Sequence, residues 1–82
     1  MSSTLRMDIR RLVGANVRRY RTERGLSQEE IGARMGVDRA HVGLIERGEQ
    51  NATLLTIWSL SQALEVSPQA LFDETVFENN LQ

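Results

Sequence analysis

The stretch GVDRAHVGLIERGEQN, residues 36–51, contains several charged and titratable side chains that are candidates for catalysis or binding. It holds the single histidine of the chain, His41, together with Arg39, Glu46 and Arg47. A histidine without a paired nucleophile or metal partner has nothing to act with as a general base. The sequence has no cysteine, which excludes Cys-based zinc sites, and it offers no glycine-rich phosphate loop. We therefore expect a binding protein that is not an enzyme and that uses no metal or other cofactor.

Charge is divided unevenly along the 82 residues. The net charge is −1, yet all ten basic residues lie at or before Arg47, where they face six acids, and the remaining residues hold five acids and no base. This division fits a basic working surface and an acidic back or tail, although chance segregation in a short chain is the alternative. No apolar run is long enough to span a bilayer, and the first residues lack the apolar middle of a secretory signal. We expect a cytoplasmic protein without a membrane partner.

Glycines and the single proline punctuate the chain, and between them apolar residues recur at helical spacing. A chain this short supports one small core, so residues 1–82 are predicted to form a single all-α domain. The predicted helices cover residues 8–24, 28–35, 39–47, 54–64 and 68–73, followed by an acidic tail at 73–82. Ile9 and Leu54 are expected in the core, whereas Val76 and Phe77 of the tail could either dock on the domain or remain free.

The segment LSQEEI gives the strongest local signal. Ser27 and Glu30 form the pattern of a capping box, with apolar residues on either side, so a helix should begin there. Gly36 should end this helix, and Asp38 is a suitable N-cap for the next one. Two short helices joined by a tight glycine turn are the geometry of a helix-turn-helix, whose second helix lies in the DNA major groove.

Three blocks occur in order along the chain: RTERGLSQEEIGARMGV, HVGLIERGEQNATLLTI and ALEVSPQALF. With them, the chain from Leu12 to Phe72 resembles the lambda-repressor/Cro-type (Xre) helix-turn-helix family. DRAHVGLIERGEQN is similar to the small controller proteins of restriction-modification systems, although many short phage and plasmid regulators share this block. The resemblance implies a compact five-helix lambda-repressor-like DNA-binding domain with its helix-turn-helix at helices 2 and 3.

The resemblance implies that the third helix reads DNA bases through Arg39, Ala40, His41 and Leu44. An arginine at the position of Arg39 can make two hydrogen bonds to guanine O6 and N7. The alternative is a solvated arginine, or one paired with Asp38. Gly43 is expected on the exposed face, where its missing side chain would allow the helix backbone to approach DNA closely.

Phosphate groups would be bound on both sides of this helix. The phosphate-binding residues implied by the resemblance are Gln28, Arg47, Gln50, Asn51 and Thr53. Gln28 stands at a helix N-terminus, where free N–H groups and the helix dipole favour an anion. The family frequently has Lys or Arg where Glu49 and Gln50 stand here. We therefore expect modest affinity per monomer and a dependence on dimerisation.

One implied contact is structural. In this family an arginine late in helix 1 commonly pairs with a glutamate at the end of helix 3, and Arg21 and Glu46 hold those places. A planar guanidinium facing a carboxylate can make two parallel hydrogen bonds. Such a pair would fix the third helix against the first.

Helix 4 carries more apolar surface than one face can bury. Leu55 and Trp58 lie three residues apart, off its main apolar stripe. We expect them to join a self-complementary dimer contact formed by Leu55, Trp58, Leu71, Phe72, Val76 and Phe77. The alternative is that Trp58 only completes the core. Dimers read two-fold related half-sites one helical turn apart, so this surface bears on function.

The sequence thus predicts a homodimeric, sequence-specific DNA-binding transcriptional regulator of a palindromic operator, with a restriction-modification controller as the specific candidate. No small-molecule effector is predicted. The competing hypothesis is a protein-binding module, such as the antitoxin of a toxin–antitoxin pair, whose acidic tail wraps a partner. The charge of the tail and the unusual Glu49 support that reading.

Overall fold

The computed structural model describes residues 8–79, and every regular element within that range is helical. The elements are α1 (Ile9–Glu23), α2 (Gln28–Met35), α3 (Arg39–Glu46), α4 (Leu54–Leu64), a 3-10 helix (Pro68–Phe72) and α5 (Thr75–Asn79). The first four bounds lie within one residue of those expected from the sequence. Residues 80–82 of the expected tail lie outside the described residues, as do residues 1–7.

Local signals set the ends of the two central helices. Both halves of the capping box form: the Glu30 amide donates to Ser27 Oγ over 3.0 Å, and the Ser27 amide donates to Glu30 Oε1 over 2.8 Å. Gly36 ends α2 with a φ of 76°, in the left-handed region that a residue without Cβ adopts freely. Asp38 stands at the N-cap of α3 with extended dihedrals, but its side chain makes no capping hydrogen bond. Asp38 therefore favours the start of α3 only through its negative charge, which suits the positive end of the helix dipole.

The C-terminal segment differs from the expectation of one helix and a tail. The fifth predicted helix is a 3-10 helix of five residues that begins at Pro68 and ends at Phe72. Asp73 then accepts hydrogen bonds from the amide and the hydroxyl of Thr75, and α5 follows. Val76 is buried, so this part of the tail docks on the domain.

Apolar side chains from all of these elements meet in one core. Its buried hydrophobic residues are Leu12, Val13, Val17, Ile31, Val42, Ile45, Leu60, Ala63, Leu64, Leu71 and Val76. Two residues expected in the core, Ile9 and Leu54, are exposed instead. Both stand at the first position of their helices, where the chain has not yet turned onto the domain.

Helix α1 approaches α3 closely at Gly14, a contact that sequence reasoning missed. A Cβ atom on Gly14 would overlap the carbonyl oxygen of Ile45 and lie 2.7 Å from that of Glu46. Only a residue without a side chain allows the two helix backbones to meet there. The end of α3 is thus held against the middle of α1.

Asn16 holds the C-terminal segment to the same helix. Its side chain is fully buried, and Nδ2 lies 2.9–3.2 Å from the carbonyl oxygens of Leu12, Leu71 and Asp73. Two of these carbonyls belong to the chain beyond α4, and Asp73 also pairs with Arg19 of α1 over 3.2 Å. Asn16 therefore ties the 3-10 helix and the start of α5 to α1.

The substitution Gly14→Ala should lower the free energy of unfolding by about 1–3 kcal/mol, because overpacking against backbone atoms forces helices apart. This figure is the net change, after the helix-propensity gain of about 1 kcal/mol that alanine brings. Urea unfolding followed by circular dichroism measures this net change. Gly43→Ala is the matched control, since a Cβ there would meet only side-chain ends. Equal stability of Gly14→Ala and the unchanged protein would contradict the close approach.

Candidate nucleic-acid interface

The carboxylate of Glu46 joins three segments at the end of α3. It accepts hydrogen bonds from Arg21 Nε (2.6 Å) and Nη2 (3.0 Å), and from Gln28 Nε2 (3.1 Å). Arg21 Nη1 also donates to the carbonyl of Leu26 over 3.0 Å. The structure therefore brings Arg21 and Glu46 together in the two-bonded form expected, and it adds Gln28, which sequence reasoning had treated only as a phosphate ligand.

Burial makes this network strong. Only 4% of the Glu46 side chain and 15% of the Arg21 side chain are exposed, so water screens their attraction little. The hydrogen bonds to Glu46 raise the pKa of the Arg21 guanidinium above its ordinary value. The end of α3 is consequently fixed against both α1 and the start of α2.

Helix α3 separates an inner from an outer face. Val42 and Ile45 are buried, whereas the candidate base-reading residues lie towards solvent: Arg39 and Ala40 are exposed, and His41 and Leu44 are half-buried. Among residues 8–79, no carboxylate forms an ion pair with Arg39, so the expected alternative of pairing with Asp38 does not occur. The first turn of α3 therefore offers a free guanidinium next to a small side chain.

The candidate phosphate ligands on either side of α3 are partly engaged within the protein. Arg47 Nε donates to Glu49 Oε2 over 3.2 Å, in a pair that is more than half exposed. The hydroxyl of Thr53 accepts from the Thr56 amide and caps α4. Gln50 is half-buried and Asn51 is exposed. Arg47 is the one cationic side chain of the loop 47–53, and Glu49 pairs with it in the free protein.

Gly43 does not lie on the exposed face, and that expectation was wrong. It is buried, because the side chains of Arg47 and Gln28 cover it. A Cβ at this position would lie 3.1 Å from Arg47 Nη1 and 3.6 Å from Gln28 Oε1. The glycine therefore contributes space for two side chains rather than a bare stretch of backbone.

Two of the six candidate dimer residues belong to the core. Leu71 and Val76 are 0% and 3% exposed within their own chain, so their assignment to a dimer contact was wrong. The 3-10 helix turns Leu71 inwards and Phe72 outwards, and α5 turns Val76 towards α1. Phe77 is half-buried on α5.

The remaining candidates form an exposed apolar face around α4. Leu55 and Trp58 are 81% and 57% exposed, and Phe72 is exposed nearby. Beside them runs a groove of about 370 Å³, whose lining includes Ile9, Leu54, Ile57, Pro68 and Phe72. Ile9 and Leu54 extend the apolar surface beyond the residues expected from the sequence. Trp58 does not complete the core; it stands on this face.

Two other kinds of site do not occur in the described part of the chain. Between residues 8 and 79, no group of three or more His, Cys, Asp or Glu side chains could hold a metal ion. Over the same range, no helix is both long and apolar enough to cross a membrane.

Comparison with known proteins agrees with this geometry. The helix-turn-helix family HTH_3 matches residues 17–71. The chain is 47% identical over 74 residues to an uncharacterized HTH-type transcriptional regulator, y4dJ, of Sinorhizobium fredii, which covers 87% of this chain and 96% of the relative. The crystal structure of the restriction-modification controller protein C.AhdI from Aeromonas hydrophila aligns with a TM-score of 0.74 and 41% identity, over 77% of this chain and 96% of that one.

A further solved structure contains DNA. It is the tetramer of the restriction-modification controller protein C.Esp1396I in complex with its natural 35 base-pair operator. It aligns with a TM-score of 0.72 and 27% identity, over 90% of this chain and 96% of that one.

The substitution Glu46→Gln should lower the free energy of unfolding by about 1–3 kcal/mol, because it weakens three hydrogen bonds to a buried charge and leaves Arg21 without its counter-ion. Chemical unfolding measures the loss. Glu49→Gln is the matched control: the same change at an exposed pair should cost less than about 1 kcal/mol. Equal effects of the two substitutions would contradict the structural role of Glu46.

Proposed function

The chain belongs to the helix-turn-helix family HTH_3, and we propose that it acts as a homodimeric, sequence-specific transcriptional regulator on a palindromic DNA operator. The observation that carries this proposal is the placement of Arg39. Its guanidinium is exposed and pairs with no carboxylate of the described residues, at the start of a helix whose far end the Glu46 network fixes. A fixed helix with a free arginine in its first turn is suited to reading base edges in the major groove.

Base reading is assigned to the outer face of α3. Arg39 would contact guanine, Ala40 would leave room for a base or contact a thymine methyl group, and His41 would donate to a base edge or a phosphate. Leu44, one turn later and half-buried, would add an apolar contact. The first turn of α3 would therefore supply most of the preference for one base sequence over another.

Phosphate binding is assigned to the two ends of this surface. The start of α2 carries Gln28 and the positive end of a helix dipole, and the loop after α3 carries Arg47, Gln50, Asn51 and Thr53. Glu49 places a negative charge in that loop and pairs with Arg47. Affinity per monomer should therefore be modest, and a second copy should be needed for firm binding.

The second copy would use the apolar face around α4. Leu54, Leu55, Trp58 and Phe72 are all exposed there, beside the groove lined by Ile9. Contiguous apolar surface of this kind on a small domain marks an interaction site. A symmetric contact through this face would place two α3 helices for two half-sites of a palindrome.

The specific role that we propose is control of a restriction-modification system. The support is similarity over nearly the whole of C.AhdI and to the control proteins C.SmaI and C.BamHI, which are 38% and 37% identical to the chain. The antitoxin hypothesis loses its main support, because the described part of the acidic tail folds onto its own domain through Val76.

The substitution Arg39→Ala should weaken the preference for the operator by about 1–3 kcal/mol per half-site, while non-specific binding persists. The measurement is titration of the purified protein with its own upstream DNA and with scrambled DNA, each at two salt concentrations. Arg18→Ala is the charge-matched control, since Arg18 is exposed on α1, outside the helix-turn-helix formed by α2 and α3.

Three outcomes of this titration would count against the proposal. No specific complex with the unchanged protein would contradict an operator-binding function. Affinity that does not fall as salt rises would contradict phosphate contacts. An undiminished preference in Arg39→Ala would show that Arg39 does not read a base.

The substitution Trp58→Ala should weaken self-association by about thirtyfold, the effect of losing a central aromatic anchor worth about 2 kcal/mol. Sedimentation equilibrium measures the change, and circular dichroism should show unchanged helicity because the indole is more than half exposed. Phe77→Ala serves as the aromatic control, since Phe77 is half-buried on α5, which packs on α1, and is not on α4. An unchanged dimer constant for Trp58→Ala would reject this face as the contact.

A further inference from the structure

Gly43 makes α3 less stable than alanine would, and the packing of the fold does not require a glycine there. Glycine in the middle of a helix is less favourable than alanine, and Gly43 lies in the interior of α3. At Gly14 the backbone of α3 leaves no room for a Cβ atom, whereas at Gly43 no backbone atom stands in the way. A Cβ there would meet only Arg47 Nη1 at 3.1 Å and the amide of Gln28 at 3.6 and 3.7 Å. The fold would accept alanine at this position.

The atoms over Gly43 belong to two polar side chains, one from the end of α3 and one from the start of α2. Arg47 follows four residues after Gly43, and side chains at the end of a helix lean back over the preceding turn, so its guanidinium lies above the glycine. Gln28 reaches the same point from the start of α2. Its Nε2 gives one hydrogen to Glu46 and retains a second. Two donor groups thus converge on one small area next to the first turn of α3.

We propose that Gly43 is a positioning residue for DNA binding: its missing side chain lets the guanidinium of Arg47 and the amide of Gln28 converge as one phosphate-binding site. The inference rests on the proposed function, because it assigns the occupant as a phosphate of the operator. A methyl group on residue 43 would push Arg47 Nη1 outwards by a few tenths of an ångström and separate the two donors. The glycine is thus kept for the site rather than for the fold.

Glu49 completes this arrangement in the free protein. Its carboxylate holds Arg47 Nε at 3.2 Å, so an anion already stands against the guanidinium before DNA arrives. The pair is 58% and 56% exposed, and water screens an attraction of this kind, so a phosphate can replace the carboxylate readily. Glu49 therefore positions Arg47 in the free protein, and a phosphate of the operator would take the place of the Glu49 carboxylate.

The test uses Gly43→Ala, Arg47→Ala and the double variant. Gly43→Ala should fold and melt up to about 4–8 °C higher, since alanine favours the helix. The same variant should bind the operator about tenfold more weakly, and the slope of log K against log salt should become shallower by up to about 0.9 for each phosphate that the protein no longer binds. Arg47→Ala should weaken binding at least as much. Adding Gly43→Ala to Arg47→Ala should weaken it no further, because both act through one phosphate-binding site.

Each other outcome overturns the inference. Gly43→Ala with the affinity and salt slope of the unchanged protein shows that the glycine does not position Arg47. Additive effects on affinity in the double variant show that the two residues act separately. A Gly43→Ala protein that fails to fold shows that the glycine serves the core. If the unchanged protein binds no operator, the proposed function falls as well, which distinguishes that failure from the other three.

Discussion

The contact between α1 and the end of α3 sets the orientation of α3 and, through it, the residues that each face of the domain exposes. Gly14 lets the two backbones meet, and Glu46 brings a charge into a place where only 4% of its side chain reaches solvent. A buried carboxylate must be matched by donors, and Arg21 and Gln28 supply three hydrogen bonds. Steric fit and charge together leave α3 one orientation.

That orientation decides what each face of the domain can do. With Val42 and Ile45 turned into the core, Arg39 and Ala40 point away from it, and the loop at Arg47 follows directly. Asn16 holds the 3-10 helix so that Leu71 enters the core and Phe72 stays outside, where it lines a groove together with Gln50 and Asn51 of the loop after α3. The protein thus has a polar surface around α3, which we propose binds DNA, and an apolar surface around α4, which we propose binds a second copy.

Features set by neighbouring residues could be predicted from the sequence. The capping box at Ser27 and the left-handed turn at Gly36 depend on backbone geometry within a few residues, and both form as expected. The two-bonded contact of Arg21 with Glu46 is also present, but it was inferred from resemblance to a family and not from spacing, since 25 residues separate the partners.

Features set by residues distant in sequence could not be predicted. Nothing in the local pattern distinguishes Gly14, which faces a backbone, from Gly43, which lies under two side chains. The sequence does not show which way the side chain of Val76 faces, and the prediction assigned this residue to the dimer surface. In the structure, α5 turns Val76 into the core. Leu54 shows the opposite error. In sequence it belongs to the apolar stripe of α4, but it stands at the first position of that helix, outside the core, and is exposed.

In the proposed function, a rigidly held α3 presents its first turn to DNA, with phosphate contacts on either side. The most direct test is a titration of isotopically labelled protein with operator DNA, followed by amide chemical shifts. We expect the largest changes at residues 39–41, at the start of α2 and in the loop 47–53, with little change in α5. Largest changes in α5, or on the face of α1 away from α3, would contradict this account.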